Sequence, residues 1–118
     1  MKNLFLFLLF VLVPGAIMGA DRNAGLDRIW IDVRSAAEYE TGHLSGAHNI
    51  NFDRIATHIA EITTDKNALL VLYCKSGRRS GLAKQTLDQL GYVNVVNGGG
   101  INDVLRQAKQ QAVIGPLP

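Results

Sequence analysis

Short apolar runs alternate with longer amphipathic stretches along this chain. Ile29–Val33, Leu69–Tyr73 and Val93–Val96 are brief runs rich in β-branched or aromatic residues, and His48–Ile50 is a weaker one. Runs of this length and composition predict buried strands. Between them the apolar spacing lengthens to that of a helix. Ser80–Leu90 closes at Gly91, and Ile101–Ala112 places Ile101, Val104, Leu105 and Ala108 on one stripe. Asp53–Ile62 reads as a third helix, opened by an aspartate cap. A short fourth begins at Ser35, whose spacing to Glu38 is that of a capping box, and stops at Gly42. Gly98-Gly99-Gly100 reads as a tight loop before the last helix. Leu82, Leu87 and Leu90 are expected in the core, and Trp30 is expected to pack from its strand against a helix. Strands alternating with helices predict an α/β sandwich with a mainly parallel sheet.

The start of the chain follows another pattern. Met1-Lys2-Asn3 is basic, Leu4–Val13 is an unbroken apolar run, Pro14 and Gly15 interrupt it, and the small residues Gly19 and Ala20 follow. This is the anatomy of a secretory signal, expected to be cut after Gly19 or Ala20. Leu4–Ala20 is uncharged and close to spanning length, as an anchor would be, but the Pro-Gly break argues against one. The expected organisation is a signal peptide at 1–20, a linker at 21–27, one domain at 28–112 and a tail at 113–118, with no stable membrane association once the signal is removed.

Charge narrows the partners. The chain carries a net +2, and removing residues 1–20 takes away Lys2 and no acid, so the remainder stays near neutrality. Its Lys and Arg are scattered instead of massed into a stripe, which gives no support to a nucleic-acid surface, and no nucleic-acid partner is expected. One cysteine, Cys74, rules out an intramolecular disulfide. A lone thiol in an exported protein is a liability unless its chemistry is wanted.

Cys74 directly follows the strand Leu69–Tyr73 and precedes the helix expected near Ser80. In open parallel sheets, ligands bind at this carboxyl edge. The residues between, Lys75-Ser76-Gly77-Arg78-Arg79, must curl around the sulfur, with Gly77 free to take a positive φ. Backbone N–H groups of such a loop converge, and with the helix N-terminus they form an anion nest to which Arg78, Arg79 and Lys75 add charge. A thiolate there is stabilised, so a nucleophile exists at neutral pH without a histidine base. The amides are expected to carry most of that stabilisation, and the longer arginine side chains to meet an incoming anion.

These motifs together resemble the single-domain rhodaneses, a family of sulfurtransferases. The resemblance covers Ile29 to about Leu105: "WIDVRSAAEYETGHLSGAHNI", then "CKSGRR", then "NGGGINDV". Many members place a tryptophan where Val104 stands. The resemblance implies a rhodanese-like three-layer sandwich, a periplasmic monomer of the short exported kind, and no cofactor. It implies that Cys74 takes the outer sulfur of thiosulfate as a persulfide, releases sulfite, and passes the sulfur to a thiophilic acceptor such as cyanide or a thiol. Lys75, Ser76, Gly77, Arg78 and Arg79 become the substrate cradle, with Arg79 favoured over Arg78 as the inward-facing arginine. Asp32 and Arg34, at the end of the first strand, are expected to support the site through an ion-pair network with Glu38 or a loop backbone.

Two other readings stand beside this one. Cysteine-dependent phosphatases and arsenate reductases have sites resembling C-x5-R, but here the sixth residue after Cys74 is Ser80, and the arginines fall at the fourth and fifth. A non-catalytic persulfide carrier or binding module would keep the same cysteine. His43 is read as a hydrogen-bonding spacer. His48 and His58 lack ligand spacing with it, so no metal site is expected.

Overall fold

In the computed structural model, residues 27–114 are described; the expected signal segment and residues 21–26 of the expected linker lie outside them. Four strands, β1 (Ile29–Asp32), β2 (His48–Asn49), β3 (Leu70–Cys74) and β4 (Val95–Gly100), form one sheet in the order β2-β1-β3-β4. All three pairings are parallel. Four α-helices connect and follow them: α1 (Ala36–Glu40), α2 (Ile55–Ile62), α3 (Arg78–Gln89) and α4 (Ile101–Ile114).

Strand alternation sorts side chains into two cores. From β3, Leu70, Leu72 and Cys74 join Ile31, Ile55, Ile59, Ala83 and Leu87 beneath α2 and α3. Tyr73 points the other way, to Leu44, Ala47 and Val104 of α4. The sheet therefore has helices on both faces, the expected three layers. Every residue of β3 is buried, as a central parallel strand requires. Trp30 packs edge-to-face on Tyr73, 6.5 Å between centroids, in the same cluster as Val104.

Several boundaries differ from expectation, each for a local reason. β4 covers Val95–Gly100 instead of Val93–Val96, so the glycine run is strand and not loop. β4 bulges there: Leu72 pairs with Asn97, and two residues later Cys74 pairs with Gly100. Glycines permit the bulge because Gly99 sits at φ +93° and a side chain on Gly98 would press on the Leu72 carbonyl. The helix expected from Asp53 begins as a 3₁₀ turn, Phe52–Arg54, and α2 starts at Ile55 without a side-chain cap. Ile50 and Phe52 amides donate to Asp32 and Val33 carbonyls, which pins the chain to the end of β1 and carries Asp53 into the turn.

In α3 the buried stripe is Ser80, Ala83 and Leu87, whereas Leu82 and Leu90 are substantially exposed. Three leucines at positions 82, 87 and 90 cannot share the face that Ala83 and Leu87 already fill. α4 extends to Ile114, two residues past Ala112. Only Val104 of its expected stripe is buried, with Ile101 partly so; Leu105 and Ala108 are exposed, because the helix meets the sheet through its first turn. The Ser35–Glu38 capping box has both halves: Glu38 N–H donates to Ser35 Oγ at 3.2 Å, and Ser35 N–H donates to Glu38 Oε1 at 3.0 Å.

Candidate active site

Cys74 ends β3 at the carboxyl edge of the sheet and is 1% exposed. α3 starts two residues earlier than expected, at Arg78, so the connection is only Lys75-Ser76-Gly77. Gly77 is the N-cap of α3, with φ +102°, a conformation that side-chain-bearing residues resist. A glycine cap offers no side-chain acceptor to the free N–H groups of the first turn. The cysteine sulfur takes that role. Gly77 N–H donates to Cys74 Sγ at 2.9 Å, and Ser80 Oγ lies 3.5 Å from it.

Burial pushes the Cys74 thiol up, but the Ser80 hydroxyl and the backbone N–H groups of Ser80, Gly77 and Ser76 outweigh it, and the net shift is downward. Of the expected cradle, Gly77 thus donates its amide to the sulfur, and the Ser76 amide adds the smallest of the downward influences on the thiol. Ser80 was absent from the expected set. Its signal was its place one turn into the helix, where a small hydroxyl residue falls beneath the cap.

The two arginines part company. Arg79 makes a two-pronged ion pair with Glu38 of α1, Nη1 to Oε1 at 2.8 Å and Nη2 to Oε2 at 3.0 Å. This pairing, reinforced by the Ser35 backbone N–H, holds the Glu38 carboxyl down to about 2. Arg78 is exposed at the loop rim, with Lys75 and Ser76 beside it. The pairing of Arg79 gives its guanidinium a fixed partner within the fold, which spacing along the chain did not indicate.

Asp32 and Arg34 are buried and bind each other: Arg34 Nε reaches both Asp32 oxygens, at 2.9 and 3.0 Å, and Nη2 reaches Oδ2 at 2.6 Å. Arg34 also donates to the Gly42 carbonyl at 2.7 Å, clasping the end of the α1 segment. Glu38 is not part of this pair. The two networks meet through α1: Arg34 anchors the segment, and Glu38 on that segment holds Arg79. His43 Nδ1–H donates to the Tyr39 carbonyl at 2.9 Å, and the imidazole stacks on the Tyr39 ring.

β4 completes the site from the other side. Asn97 Nδ2 donates to the Gly77 carbonyl at 2.9 Å, and its Oδ1 accepts from Gly99 N–H at 3.0 Å and from Ser80 Oγ at 2.7 Å. Gly100 lies against the loop so closely that a Cβ there would run into the Lys75 carbonyl oxygen. The late glycines therefore have a physical role, a close passage of the Cys74 loop over β4. Sequence reasoning found the glycines but not this use of them, and it missed Asn97.

The chain is similar to known proteins in sequence and in fold. The rhodanese-like domain family matches residues 18–107. Thiosulfate sulfurtransferase PspE of Escherichia coli is 43% identical over 75 residues, 64% of this chain and 72% of its own. Among solved structures, a rhodanese with anions from E. coli superposes with a TM-score of 0.63 at 42% identity, covering 65% of this chain and 91% of its own. The human single-domain sulfurtransferase TSTD1 shares the fold, with a TM-score of 0.61 at 23% identity over 77% of this chain and 93% of its own. With the parallel sheet, the capped cysteine and these matches in agreement, the chain belongs to the rhodanese-like domain family.

Proposed function

We propose that this protein is a thiosulfate sulfurtransferase that works through a persulfide on Cys74. The observation that carries the reading is the position of the sulfur, beneath the first turn of α3 with Gly77 N–H at 2.9 Å and its thiol pKa held below the ordinary value. A thiolate at this place needs no histidine base. Similarity to the E. coli thiosulfate sulfurtransferase supports the choice of donor.

In the first half of the cycle, the Cys74 thiolate attacks the sulfane sulfur of thiosulfate. A Cys–S bond to that sulfur forms, the bond between the two thiosulfate sulfurs breaks, and sulfite leaves with the electron pair. In the second half, cyanide or a thiol attacks the outer sulfur of the persulfide, and Sγ leaves as thiolate. Both halves place negative charge in the loop, where fixed N–H dipoles stabilise it without reorganising. The backbone from Lys75 to Arg79 is the cradle we assign. Arg78 and Lys75, exposed at its rim, attract the dianionic donor, while Arg79 braces the loop through Glu38. Asp32 and Arg34 act at one remove, by fixing the α1 segment. All covalent steps use one sulfur of one chain, so a monomer suffices.

Initial rates with thiosulfate and cyanide test the reading. Wild type should form thiocyanate catalytically, and Cys74→Ser none above background. A single burst of persulfide without turnover would instead mark a carrier. We also read residues 1–20 as a secretory signal and the mature protein as periplasmic, supported by the basic start, the interrupted apolar run and the small residues before Asp21. N-terminal sequencing of the exported protein checks it, and retention of Leu4–Val13 would contradict it.

A further inference from the structure

Ser80 Oγ has one hydrogen and three neighbours that can accept it. Asn97 Oδ1 lies at 2.7 Å, the Gly77 carbonyl at 3.1 Å and Cys74 Sγ at 3.5 Å. The orientation of the Asn97 amide is fixed by its other partners, since Oδ1 faces the Gly99 N–H and Nδ2 faces the Gly77 carbonyl. Oδ1 can only accept, so the shortest contact places the Ser80 proton on the Asn97 side. In that arrangement Ser80 turns a lone pair toward Sγ. A neutral S–H tolerates this, and a thiolate does not.

We propose that the Ser80 hydroxyl is a two-position donor, held by Asn97 while Sγ is neutral and turned onto Sγ when the sulfur carries charge. Asn97 is thereby a positioning residue that sets how readily Cys74 becomes a thiolate and departs as one. The proposal rests on the persulfide chemistry above, in which Sγ is anionic before it attacks the donor and again when the acceptor takes the outer sulfur. Between those points the charge lies on the outer sulfur, and Sγ is neutral. The turn is a rotation about the Ser80 Cβ–Oγ bond; the O–H bond stays intact, and the thiol proton goes to solvent.

The surroundings permit this rotation at little cost. When Ser80 turns away, Asn97 Oδ1 keeps the Gly99 N–H, and the Gly77 carbonyl keeps both Asn97 Nδ2 and the Gly81 N–H at 3.0 Å. No acceptor is orphaned by the turn. Ser80 itself is 0% exposed, so solvent does not stand in for its proton at the sulfur. Asn97, in contrast, is exposed and belongs to neither hydrophobic core cluster.

The test is the Cys74 pKa, read from the pH dependence of alkylation by iodoacetamide in wild type, Ser80→Ala, Asn97→Ala and the double variant. Ser80→Ala should raise the pKa by about one unit, a tenfold loss of thiolate at neutral pH. Asn97→Ala should lower it, by freeing the hydroxyl for the sulfur, and should have no effect when Ser80 is already alanine. Asn97→Asp keeps an acceptor for the Gly99 N–H and grips the hydroxyl harder, so it should raise the pKa, and more with Ser80 present than without. If Asn97→Ala raises the pKa, or if either Asn97 variant acts equally in both Ser80 backgrounds, Asn97 is only a brace and the proposal fails. Alkylation reads no sulfur transfer: absence of thiocyanate formation with the coupling intact would overturn the assigned activity and leave this proton arrangement standing.

Discussion

Glu38 and Arg79, 41 residues apart in sequence, close a two-pronged ion pair that ties α1 to the first turn of α3. It fixes the helix whose N-terminus faces the cysteine. It also makes one carboxylate far more acidic than its type, with a pKa of about 2.

A carboxylate held this low favours the folded state only where it is ionised. Its contribution is complete above the unfolded value, about 4.3, and is lost as pH falls toward the folded value. Glu38→Gln keeps a residue that can close the capping box and removes the charge. The melting temperature of wild type should therefore exceed that of Glu38→Gln by a constant margin above about pH 5, and the margin should shrink between about pH 4.5 and 2. Thermal melts across that range check it; a margin independent of pH would exclude the ion pair as its source.

The separation of the two arginines gives opposite expectations for them. Arg78→Ala should raise KM for thiosulfate about tenfold, near 1.4 kcal/mol, with little change in the Cys74 pKa. Arg79→Ala should cost stability of about 1 kcal/mol, because it unties α1 from α3. Initial rates at low salt, paired with melts, distinguish the roles. Equal KM effects with equal stability would show that the Glu38 pairing does not divide them.

Gly100 should tolerate no side chain. Its φ lies outside the left-handed region, so alanine is conformationally allowed and the collision with the Lys75 carbonyl is the isolated effect. Gly100→Ala should cost about 1–3 kcal/mol, as overpacking does, and should raise the Cys74 pKa by displacing the loop that carries the Gly77 amide. Denaturant melts and alkylation profiles measure the two effects. A variant as stable as wild type with an unshifted thiol would mean the loop has room that the close passage denies.

The fold was legible where one local pattern decided it. The apolar run Leu69–Tyr73 before Cys74, the Ser35–Glu38 box and Gly77 each carry their meaning within a few residues, and the structure uses them nearly as expected, with the strand one residue further on at Leu70–Cys74. What was not legible depends on distant backbone. Gly98–Gly100 has the composition of a loop, and it becomes bulged strand because β3 lies alongside to pair with it. Arg78 and Arg79 are equivalent by composition, and only the return of α1 across the loop gives Arg79 a partner. Asn97 and Ser80 are ordinary polar residues until the bulge brings one over the other. Leu82 and Leu90 fit a helix pattern, yet Ala83 and Leu87 take the face that packs.

Intact mass of the whole protein after exposure to thiosulfate, before any acceptor is added, tests the central claim most directly. The account predicts one added sulfur on wild type, located on Cys74 by fragmentation, removed by cyanide, and absent from Cys74→Ser. Catalytic thiocyanate formation by Cys74→Ser, or a wild-type protein that gains no sulfur while turning over thiosulfate, would contradict it.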